Sequence, residues 1–382
     1  MTGDNDYDVI VVGAGPAGVS AAKAAAEAGA RVLLFEKHPT IMANKPCGEA
    51  CSQETLKTAG VDPSPRIVMR EAYAIVYSPS MIAVEINMIG YNINKSHFIQ
   101  EIAAQAAEAG ADIHVKEEVL NVSREGPGMR VKTRQGEYVA KVVIGSDGYN
   151  STVARCIGVT EKSEPIPTVQ YIMANCRLKY PDAVRFYLGN KVAPKGYAWI
   201  FPRSEKLAEV GIGVRGAPAK EYLDVFVKRF SDELGSAKII DYRGAPVPIG
   251  GMISECVFDN VILIGDAAGH VIPLTGAGIH SSVSAGLAAG KVAAEAAADG
   301  DASRQRLSRF YELYQPWVER IRKSLKAMRA VENLSDEDLD TLAKLLRADD
   351  ILDLANGINL TKVAKKLMSH PIFAMKLAKA LM

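Results

Sequence analysis

A glycine-rich segment near the N-terminus has the residues and the spacing needed to hold a dinucleotide. Gly13, Gly15 and Gly18 follow an apolar run, and Ala17 lies in the same turn. Gly13 permits a tight turn, Gly15 lets backbone N–H groups approach a pyrophosphate, and Gly18 lets the following helix pack closely on the strand. Glu36 ends the next apolar run, where its carboxylate would accept hydrogen bonds from ribose hydroxyls. The motif predicts dinucleotide binding, but it does not separate FAD from NAD.

Two later segments place polar and small residues directly after buried strands. Asp147 lies in the turn that follows the apolar run 141–145, and Asp266 in the turn that follows the run 260–264. Each aspartate also has an ordinary structural interpretation, because a turn favours Asp before Gly and a helix favours Asp at its N-cap. Their occurrence after a glycine-rich βαβ unit favours a cofactor role for both segments.

The order of a GxGxxG motif, an Asp-Gly motif and a Gly-Asp motif resembles the glutathione-reductase-like FAD fold of the aromatic-hydroxylase superfamily. The resemblance implies FAD as cofactor, with Asp266 on the ribityl hydroxyls and the backbone of Gly278 and Ile279 at the pyrimidine end of the isoalloxazine. A helix N-terminus there would stabilise the negative charge of a reduced flavin. It also implies cofactor contacts from Lys95, where the superfamily usually has Arg, and from the backbone of Val119.

Two further motifs resemble the geranylgeranyl reductase family. Residues 45–50 read KPCGEA, and residues 196–202 read GYAWIFP, which contains the family's YxWxFP signature. The resemblance covers nearly the whole chain, and it extends in particular to archaeal digeranylgeranylglycerophospholipid reductases. It implies that Cys47, Gly48 and Ala50 lie at the cofactor. Cys47 is also our hypothesis for the proton donor, although a cysteine is equally suited to be a small buried hydrophobe.

The YxWxFP motif predicts an apolar binding surface. Period-two alternation places Tyr197, Trp199 and Phe201 on one face of a strand, followed by Pro202. Such a face would form an aromatic wall for a long apolar chain, although core packing is the ordinary role of aromatic residues. The family resemblance favours substrate binding by these four residues.

The implied reaction is FAD-dependent saturation of isoprenoid double bonds in geranylgeranyl lipids, in particular digeranylgeranylglycerophospholipids. A flavin monooxygenase or a halogenase of an apolar or aromatic substrate is an alternative, since WxWxIP of halogenases resembles this motif except at Tyr197. A non-catalytic prenyl-binding escort is another, against which the intact Glu36, Asp147 and Asp266 argue. Without a second GxGxxG motif for a separate NAD(P)H domain, we expect a transient electron donor: NADPH, ferredoxin or another reduced carrier.

Composition excludes several other classes of function. Lys and Arg number 45 against 44 Asp and Glu in 382 residues, so we expect no nucleic-acid partner. The five cysteines are scattered without zinc-ligand spacing, which predicts no metal site and a reducing, cytoplasmic location. The segment 361–382 contains five lysines and no acidic residue, which is typical of either a solvated helical face or a peripheral contact with a membrane surface.

The elements that must position these residues predict an α/β protein: a doubly wound, glutathione-reductase-like FAD-binding fold, an inserted and mostly antiparallel sheet, and a C-terminal helical region. We expect the FAD-binding domain to comprise 1–71, 95–165 and 255–299, the substrate-binding sheet domain 72–94 and 166–254, and the helical region 300–382. The sheet is predicted from a hairpin of 72–78 and 81–87 and from strands at 169–178, 183–188, 197–201 and 208–214. A capping box at 335–338 predicts a helix to residue 346.

Overall fold

Two β-sheets, with helices packed on both, position every candidate residue. A computed structural model of the protein describes residues 6–42, 46–368 and 370. The strands are, in chain order, β1 (Asp6–Val12), β2 (Val32–Glu36), β3 (Ala50–Ser52), β4 (Val68–Tyr77), β5 (Ala83–Ile93), β6 (Asp112–Val115), β7 (Asn121–Glu125), β8 (Gly128–Lys132), β9 (Glu137–Gly145), β10 (Pro165–Ala174), β11 (Ala183–Leu188), β12 (Tyr197–Pro202), β13 (Leu207–Gly213), β14 (Lys238–Pro248), β15 (Val257–Phe258) and β16 (Val261–Leu263).

The helices follow the same chain order. They are α1 (Pro16–Glu27), α2 (Gln53–Ala59), α3 (Lys95–Glu108), α4 (Thr152–Cys156), α5 (Ala219–Arg229), α6 (Ser231–Leu234), α7 (Ile279–Asp299), α8 (Arg304–Leu307), α9 (Arg309–Val331), α10 (Asp336–Leu345), α11 (Ala348–Asn356) and α12 (Leu360–Met368). Within the described residues, no helix is both long enough and apolar enough to cross a membrane.

The first sheet is parallel at its centre. Its order is β15-β16-β9-β1-β2-β6, with the β7–β8 hairpin attached to β9. The strands β16, β9, β1, β2 and β6 run parallel, so their carboxyl ends meet at one edge. In open sheets of this kind ligands bind outside the carboxyl ends of the strands.

Close helix packing fixes the glycine-rich turn at that edge. Helix α1 lies directly against α7, and a Cβ added at Gly286 or Gly290 of α7 would lie 2.2 Å from the backbone oxygen of Ala17 or Ala21, respectively. The two helices therefore approach to backbone distance. This contact joins the first cofactor segment, which opens α1, to the last, which opens α7.

The second sheet is mostly antiparallel, with the order β14-β10-β13-β12-β11-β4-β5-β3 and one parallel pair, β11 with β4. The predicted fold class is confirmed: a doubly wound sheet, an inserted antiparallel sheet and a helical C-terminal region. Residues 50–71, which the sequence assigned to the FAD-binding domain, contain β3 and the start of β4, and both strands pair in the second sheet. The boundaries of the domains stay a prediction.

Several predicted strands differ from the observed ones at their ends. Strand β11 has the predicted bounds, and both strands of the predicted hairpin are longer than expected. The predicted strand 169–178 is wrong at its end, because Asn175 has a φ of 64° and stops β10 at Ala174. Strand β14, which contains Pro246 and Pro248, was not predicted. It is an edge strand, where proline is tolerated.

Helix α10 of the C-terminal region begins where the sequence predicts. Ser335 accepts a hydrogen bond from the backbone N–H of Asp338, and the Asp338 carboxylate accepts one from Ser335, which completes the capping box. Helix α10 ends at Leu345, one residue before the predicted end. Lys362 and Lys366 form ion pairs with Asp350, so part of the basic segment is neutralised within the protein. Lys376 and Lys379 lie outside the described residues.

Candidate active site

The glycine-rich turn has the geometry that a pyrophosphate requires. Gly13 has a φ of 96°, and a Cβ added there would lie 2.7 Å from the backbone oxygen of Ser146. A Cβ at Gly18 would lie 1.8 Å from the Gly13 oxygen, whereas a Cβ at Gly15 would meet nothing within 4 Å. Gly13 and Gly18 therefore allow the chain to pack on itself. Gly15 leaves open backbone beside the N-terminus of α1, as a bound phosphate needs.

Glu36 lies beside this turn at the end of β2. Its Oε2 accepts a hydrogen bond from the Ala14 N–H at 3.1 Å, and its Oε1 accepts one from the His38 N–H at 2.9 Å. The backbone N–H of Glu117 donates a hydrogen bond to the backbone carbonyl oxygen of Glu36 at 2.9 Å. This bond continues the pairing between β2 and the β6 chain two residues past the end of β6. Val119 follows two residues later and is 5% exposed. Adenosine contacts of Glu36 and Val119 stay predictions that this placement supports.

Asp147 has a clear structural role. Its carboxylate accepts hydrogen bonds from the Ser151 hydroxyl at 2.6 Å and from the backbone N–H groups of Thr152 and Val153 at 2.6 and 3.1 Å. Burial raises the pKa of Asp147, and these hydrogen bonds act in the opposite direction. The side chain thus fixes the N-terminus of α4, while its backbone lies against Gly13. A direct contact of Asp147 with the cofactor stays a prediction.

Asp266 lies in the turn that precedes α7, and a buried histidine supports that turn. The Nδ1 of His270 accepts a hydrogen bond from the Gly265 N–H at 3.2 Å. Burial lowers the pKa of His270 to about 3, so the ring is neutral and keeps Nδ1 as an acceptor. Asp266 and the α7 N-terminus, Gly278 and Ile279, all line one cavity. The carboxylate oxygens of Asp266 suit the hydroxyls of a ribityl chain, and the N–H dipoles at the α7 N-terminus suit the pyrimidine end of a flavin.

That cavity, here called the first cavity, joins all the cofactor segments to the second sheet and has a volume of about 260 Å³. It lies at the carboxyl ends of the parallel strands. Most of the predicted site residues line it: Gly15, Ala17, Cys47, Gly48, Lys95, Asp266, Gly278, Ile279, Tyr197, Trp199 and Phe201. The remaining predicted site residues do not line this cavity, although the structure describes all of them: Gly13, Gly18, Glu36, Ala50, Val119, Asp147 and Pro202.

Strand β12 forms one wall of the first cavity. Tyr197, Trp199 and Phe201 face the cavity in alternation, while Ala198 and Ile200 pack in the core on the opposite face of the sheet. The centroids of neighbouring rings along the strand are 5.9 and 6.2 Å apart. The predicted aromatic face is therefore present. Pro202 lies at its buried end, where its carbonyl accepts a hydrogen bond from the Asn92 amide.

A glycine on the neighbouring strand makes room for the Trp199 ring. Gly211 and Gly213 of β13 lie opposite Trp199 and Tyr197 in the antiparallel register. A Cβ at Gly211 would lie 2.2 Å from Cζ2 of Trp199. Gly211 is therefore a sequence signal for the Trp199 side of this wall, whereas an added Cβ at Gly213 would meet Ile166 and Thr168.

The Cys47 turn packs directly on the aromatic wall. A Cβ at Gly48 would lie 2.5 Å from Cε2 of Phe201, and the backbone N–H of Glu49 donates to the Cys47 Sγ at 3.4 Å. The thiol and the Tyr197 ring line the same cavity, and the Tyr197 hydroxyl donates to the Thr275 carbonyl. Cys47 thus lines the cavity together with cofactor segments and the wall. The following Ala50 begins β3 and lines a different cavity.

A buried charge cluster at the Phe201 end of the wall, on the same face of the sheet, was not predicted from the sequence. Arg203 forms ion pairs with Glu49 at 2.7 Å and with Glu209, which lies opposite Phe201. Burial and the neighbouring Glu49 raise the pKa of Glu209 to about 8, and Arg203 and Lys95 oppose the rise. Burial also raises the pKa of Glu49. Two carboxylates that compete for one guanidinium favour retention of a proton on one of them.

A second cavity, of about 350 Å³, lies between the second sheet and the C-terminal helices. Its walls are β4, β5 and β11 on one side and α10 and α11 on the other. Phe186 of β11 lines it and also contacts the aromatic wall, with ring centroids 5.5 Å from Tyr197 and 5.0 Å from Phe201. Five residues line both cavities: Leu188, Tyr197, Leu274, Val331 and Leu339. The two cavities therefore adjoin at the aromatic wall.

The fold defines an FAD-dependent oxidoreductase, in which the first cavity is lined by cofactor segments and by the aromatic wall. Models of two families match the chain: the FAD-dependent oxidoreductases over residues 8–155 and the geranylgeranyl reductase catalytic domain over residues 165–247. Named relatives agree over nearly the full length. The chain belongs to the geranylgeranyl reductase family.

Two curated relatives carry the name digeranylgeranylglycerophospholipid reductase. The protein is 35% identical to one from Methanopyrus kandleri over 99% of this chain and 100% of the relative. It is 36% identical to one from Methanocaldococcus jannaschii over 98% of each. A solved structure of a geranylgeranyl bacteriochlorophyll reductase-like protein from Thermoplasma acidophilum is 30% identical, with a TM-score of 0.87 over 98% of this chain and 99% of that one. A flavin-dependent brominase, 17% identical with a TM-score of 0.74 over 98% of each chain, shares the fold.

Proposed function

We propose that the protein saturates the isoprenoid double bonds of geranylgeranyl lipids, and specifically of digeranylgeranylglycerophospholipids. The observation that carries the proposal is the aromatic wall of Tyr197, Trp199 and Phe201, which faces the cavity that the cofactor segments also line. An apolar chain on this wall would lie beside the isoalloxazine. The relatives named above carry this activity in their names, and they match over nearly the whole chain.

The second cavity supports a substrate with two chains. It adjoins the first at the aromatic wall, and it is lined almost entirely by apolar side chains of β4, β5, α10 and α11. If one geranylgeranyl chain lies beside the flavin, the other chain must also be kept from water. The second cavity provides an apolar surface on which it can be buried. Without it, each exposed CH₂ group would forgo about 0.8 kcal/mol of burial.

FAD, when bound in its reduced form, supplies the hydride for one carbon of the alkene. The chain itself positions the alkene on the aromatic wall and excludes water with the apolar lining of the cavity. The N-terminus of α7 at Gly278 and Ile279 would stabilise negative charge at the pyrimidine end of a bound cofactor. Cys47 is the candidate to donate a proton to the other carbon, because it lines the cavity that cofactor segments and the aromatic wall also line.

The electrons must come from outside the protein. A reduced carrier, which is NADPH, ferredoxin or another donor, would bind transiently to the surface of the protein. The substrate must come from a membrane, because moving a twenty-carbon chain through water would cost on the order of 16 kcal/mol at about 0.8 kcal/mol per CH₂. We therefore propose a peripheral contact with the membrane surface.

The test is an anaerobic incubation of dithionite-reduced protein with digeranylgeranylglycerophospholipid, followed by mass spectrometry of the lipid. We expect mass gains of two hydrogens for each bond saturated. A product that forms only with oxygen, or with oxygen and halide, would establish the monooxygenase or halogenase alternative instead. A purified protein that is colourless and cannot be reconstituted with FAD would favour the prenyl-binding escort. Parallel reactions with NADPH and with reduced ferredoxin identify the donor.

A further inference from the structure

Strand β5 contains a large bulge that exposes two apolar side chains. Ala72 of β4 pairs with Gly90, and Ala74 pairs with Ile86, so the single residue 73 lies opposite residues 87–89. The additional residues leave the plane of the sheet, as they do in other bulges. Met88 and Ile89 of this β5 bulge are 54% and 44% exposed.

The β5 bulge adjoins the second cavity. Met88 lines that cavity although it is 54% exposed, and Gly90 and Tyr91 of the same strand line it as well, whereas Ile89 does not. Helix α11 packs against β5 and contributes Ile351 and Leu352 to the same lining. Met88 therefore lies at the mouth of the cavity, with one part of the side chain towards the interior and another towards the surroundings.

We propose that the β5 bulge docks on a lipid bilayer, so that the mouth of the second cavity opens onto the acyl region. The inference rests on the proposed function, because a lipid substrate must pass between bilayer and cavity without crossing water. Bulges are frequently found where a protein re-aims side chains for function. Here the bulge turns two apolar residues outward beside an apolar cavity, which is the arrangement a lipid entrance needs.

The charges on the same hairpin favour apolar insertion over electrostatic attraction. Glu71 pairs with Tyr91 beside the bulge, Glu85 pairs with Ile75, and both glutamates are exposed. Negative charges of this kind do not attract anionic lipids. We therefore expect docking on zwitterionic phosphatidylcholine vesicles, with little dependence on salt.

The experiment compares two double variants of the full-length, FAD-loaded protein. One is Met88→Ser with Ile89→Ser. The matched control is Ile239→Ser with Ile240→Ser on β14, where the side chains are 51% and 62% exposed at the opposite edge of the same sheet. Vesicle flotation measures docking on phosphatidylcholine. Initial rates then compare a two-chain lipid in vesicles with a short, water-soluble prenyl alcohol.

We expect the bulge variant to lose about tenfold to a hundredfold in vesicle affinity, as removal of two half-buried apolar side chains implies. Its kcat/KM should fall much further for the vesicle lipid than for the soluble alcohol, because reduction of the alcohol does not need docking, whereas the control variant should match the wild type in every measurement. Vesicle binding of the bulge variant at wild-type strength would overturn the proposal. So would a dimer of the wild type that dissociates when Met88 and Ile89 are replaced, because a second copy would then cover the bulge. If neither substrate is reduced by any variant, the proposed function fails, while flotation still decides the docking.

Discussion

Replacement of Trp199 by alanine tests the aromatic wall most directly. Trp199 is 7% exposed, its ring packs on Gly211, and it lines the first cavity between Tyr197 and Phe201. The substitution removes the central part of the wall without touching the glycine-rich turn, Asp266 or the α7 N-terminus. We expect turnover of a geranylgeranyl lipid to fall while the FAD content and the flavin spectrum stay nearly unchanged.

The size of the effect follows from the area of the ring. A buried aromatic side chain covers 150–250 Å², and if roughly a third of this area contacts the lipid, about 25 cal/mol per Å² corresponds to roughly 1.5 kcal/mol of binding. That is about a tenfold loss in kcat/KM. The same substitution should reduce the free energy of unfolding by on the order of 3 kcal/mol, because the ring also packs within the protein.

The assay measures product formation and flavin occupancy in the same preparation. Phe226→Ala is the matched control, since Phe226 is 2% exposed in the core on the opposite face of the sheet, where its ring contacts Tyr187 and Phe230. It should lose comparable stability and keep its turnover per bound flavin. Full activity of Trp199→Ala, or an equal loss in both variants, would refute the reasoning, because Trp199 would then be only a core residue.

Three further predictions follow from other parts of the site. Asp266→Ala should weaken FAD binding by about 1.5–3 kcal/mol, or roughly tenfold to more than a hundredfold, because a charge-assisted hydrogen bond is lost. Equilibrium dialysis measures the FAD affinity, and Asp301→Ala, at an exposed aspartate, is the control. Burial, then Glu49, raises the pKa of Glu209 from 4.5 to about 8, so the folded state keeps a proton that the unfolded state releases and stability falls as the pH rises through this window. Glu209→Gln should remove the part of this pH-dependent loss of stability that Glu209 causes, on the order of a few kcal/mol, in urea unfolding measured from pH 5 to 9. If the free energy of unfolding fell with pH equally in both proteins, the raised pKa of Glu209 would be contradicted. Gly211→Ala would place a methyl group 2.2 Å from Trp199, so we expect lower turnover with retained FAD, and unchanged rates would show that the ring can move aside.

The cofactor segments could be predicted from the sequence because their chemistry is local. A phosphate turn needs glycines at fixed spacing, and Gly13, Gly15 and Gly18 have that spacing before any tertiary contact forms. The aromatic alternation in β12 is equally local, since a strand places every second side chain on one face. Both features appear in the structure at the predicted residues.

The remaining site depends on contacts between segments far apart in sequence. Arg203 meets Glu49 across 154 positions, and no spacing rule connects them. The lining from the C-terminal helices, including Val331 and Leu339, becomes visible only when these helices pack over the second sheet. Strand β3 is three residues long, which is too short to show alternation, so its membership of the second sheet was not predictable.

The contact between Gly48 and Phe201 links the candidate proton donor to the aromatic wall, and it determines how Cys47 must be tested. A Gly48→Ala variant would displace the Phe201 ring, which is 2.5 Å from the added carbon, so it would disturb the wall and the thiol together. Cys47→Ser keeps the shape of the turn and replaces the thiol by a much weaker acid. If the thiol protonates the alkene, kcat should fall by about 10² to 10⁴ with little change in KM.

Cys51→Ser provides the control, because Cys51 lies four positions further along the chain and lines the second cavity instead of the first. Burial raises the pKa of Cys51 to about 12, so this thiol is a poorer acid than an ordinary cysteine. The Cys51 variant should therefore keep its kcat. Equal kcat values for Cys47→Ser and the wild type would assign the proton to another donor, and Glu209, whose pKa is raised by burial and by Glu49 at the Phe201 end of the wall, is the alternative to test next.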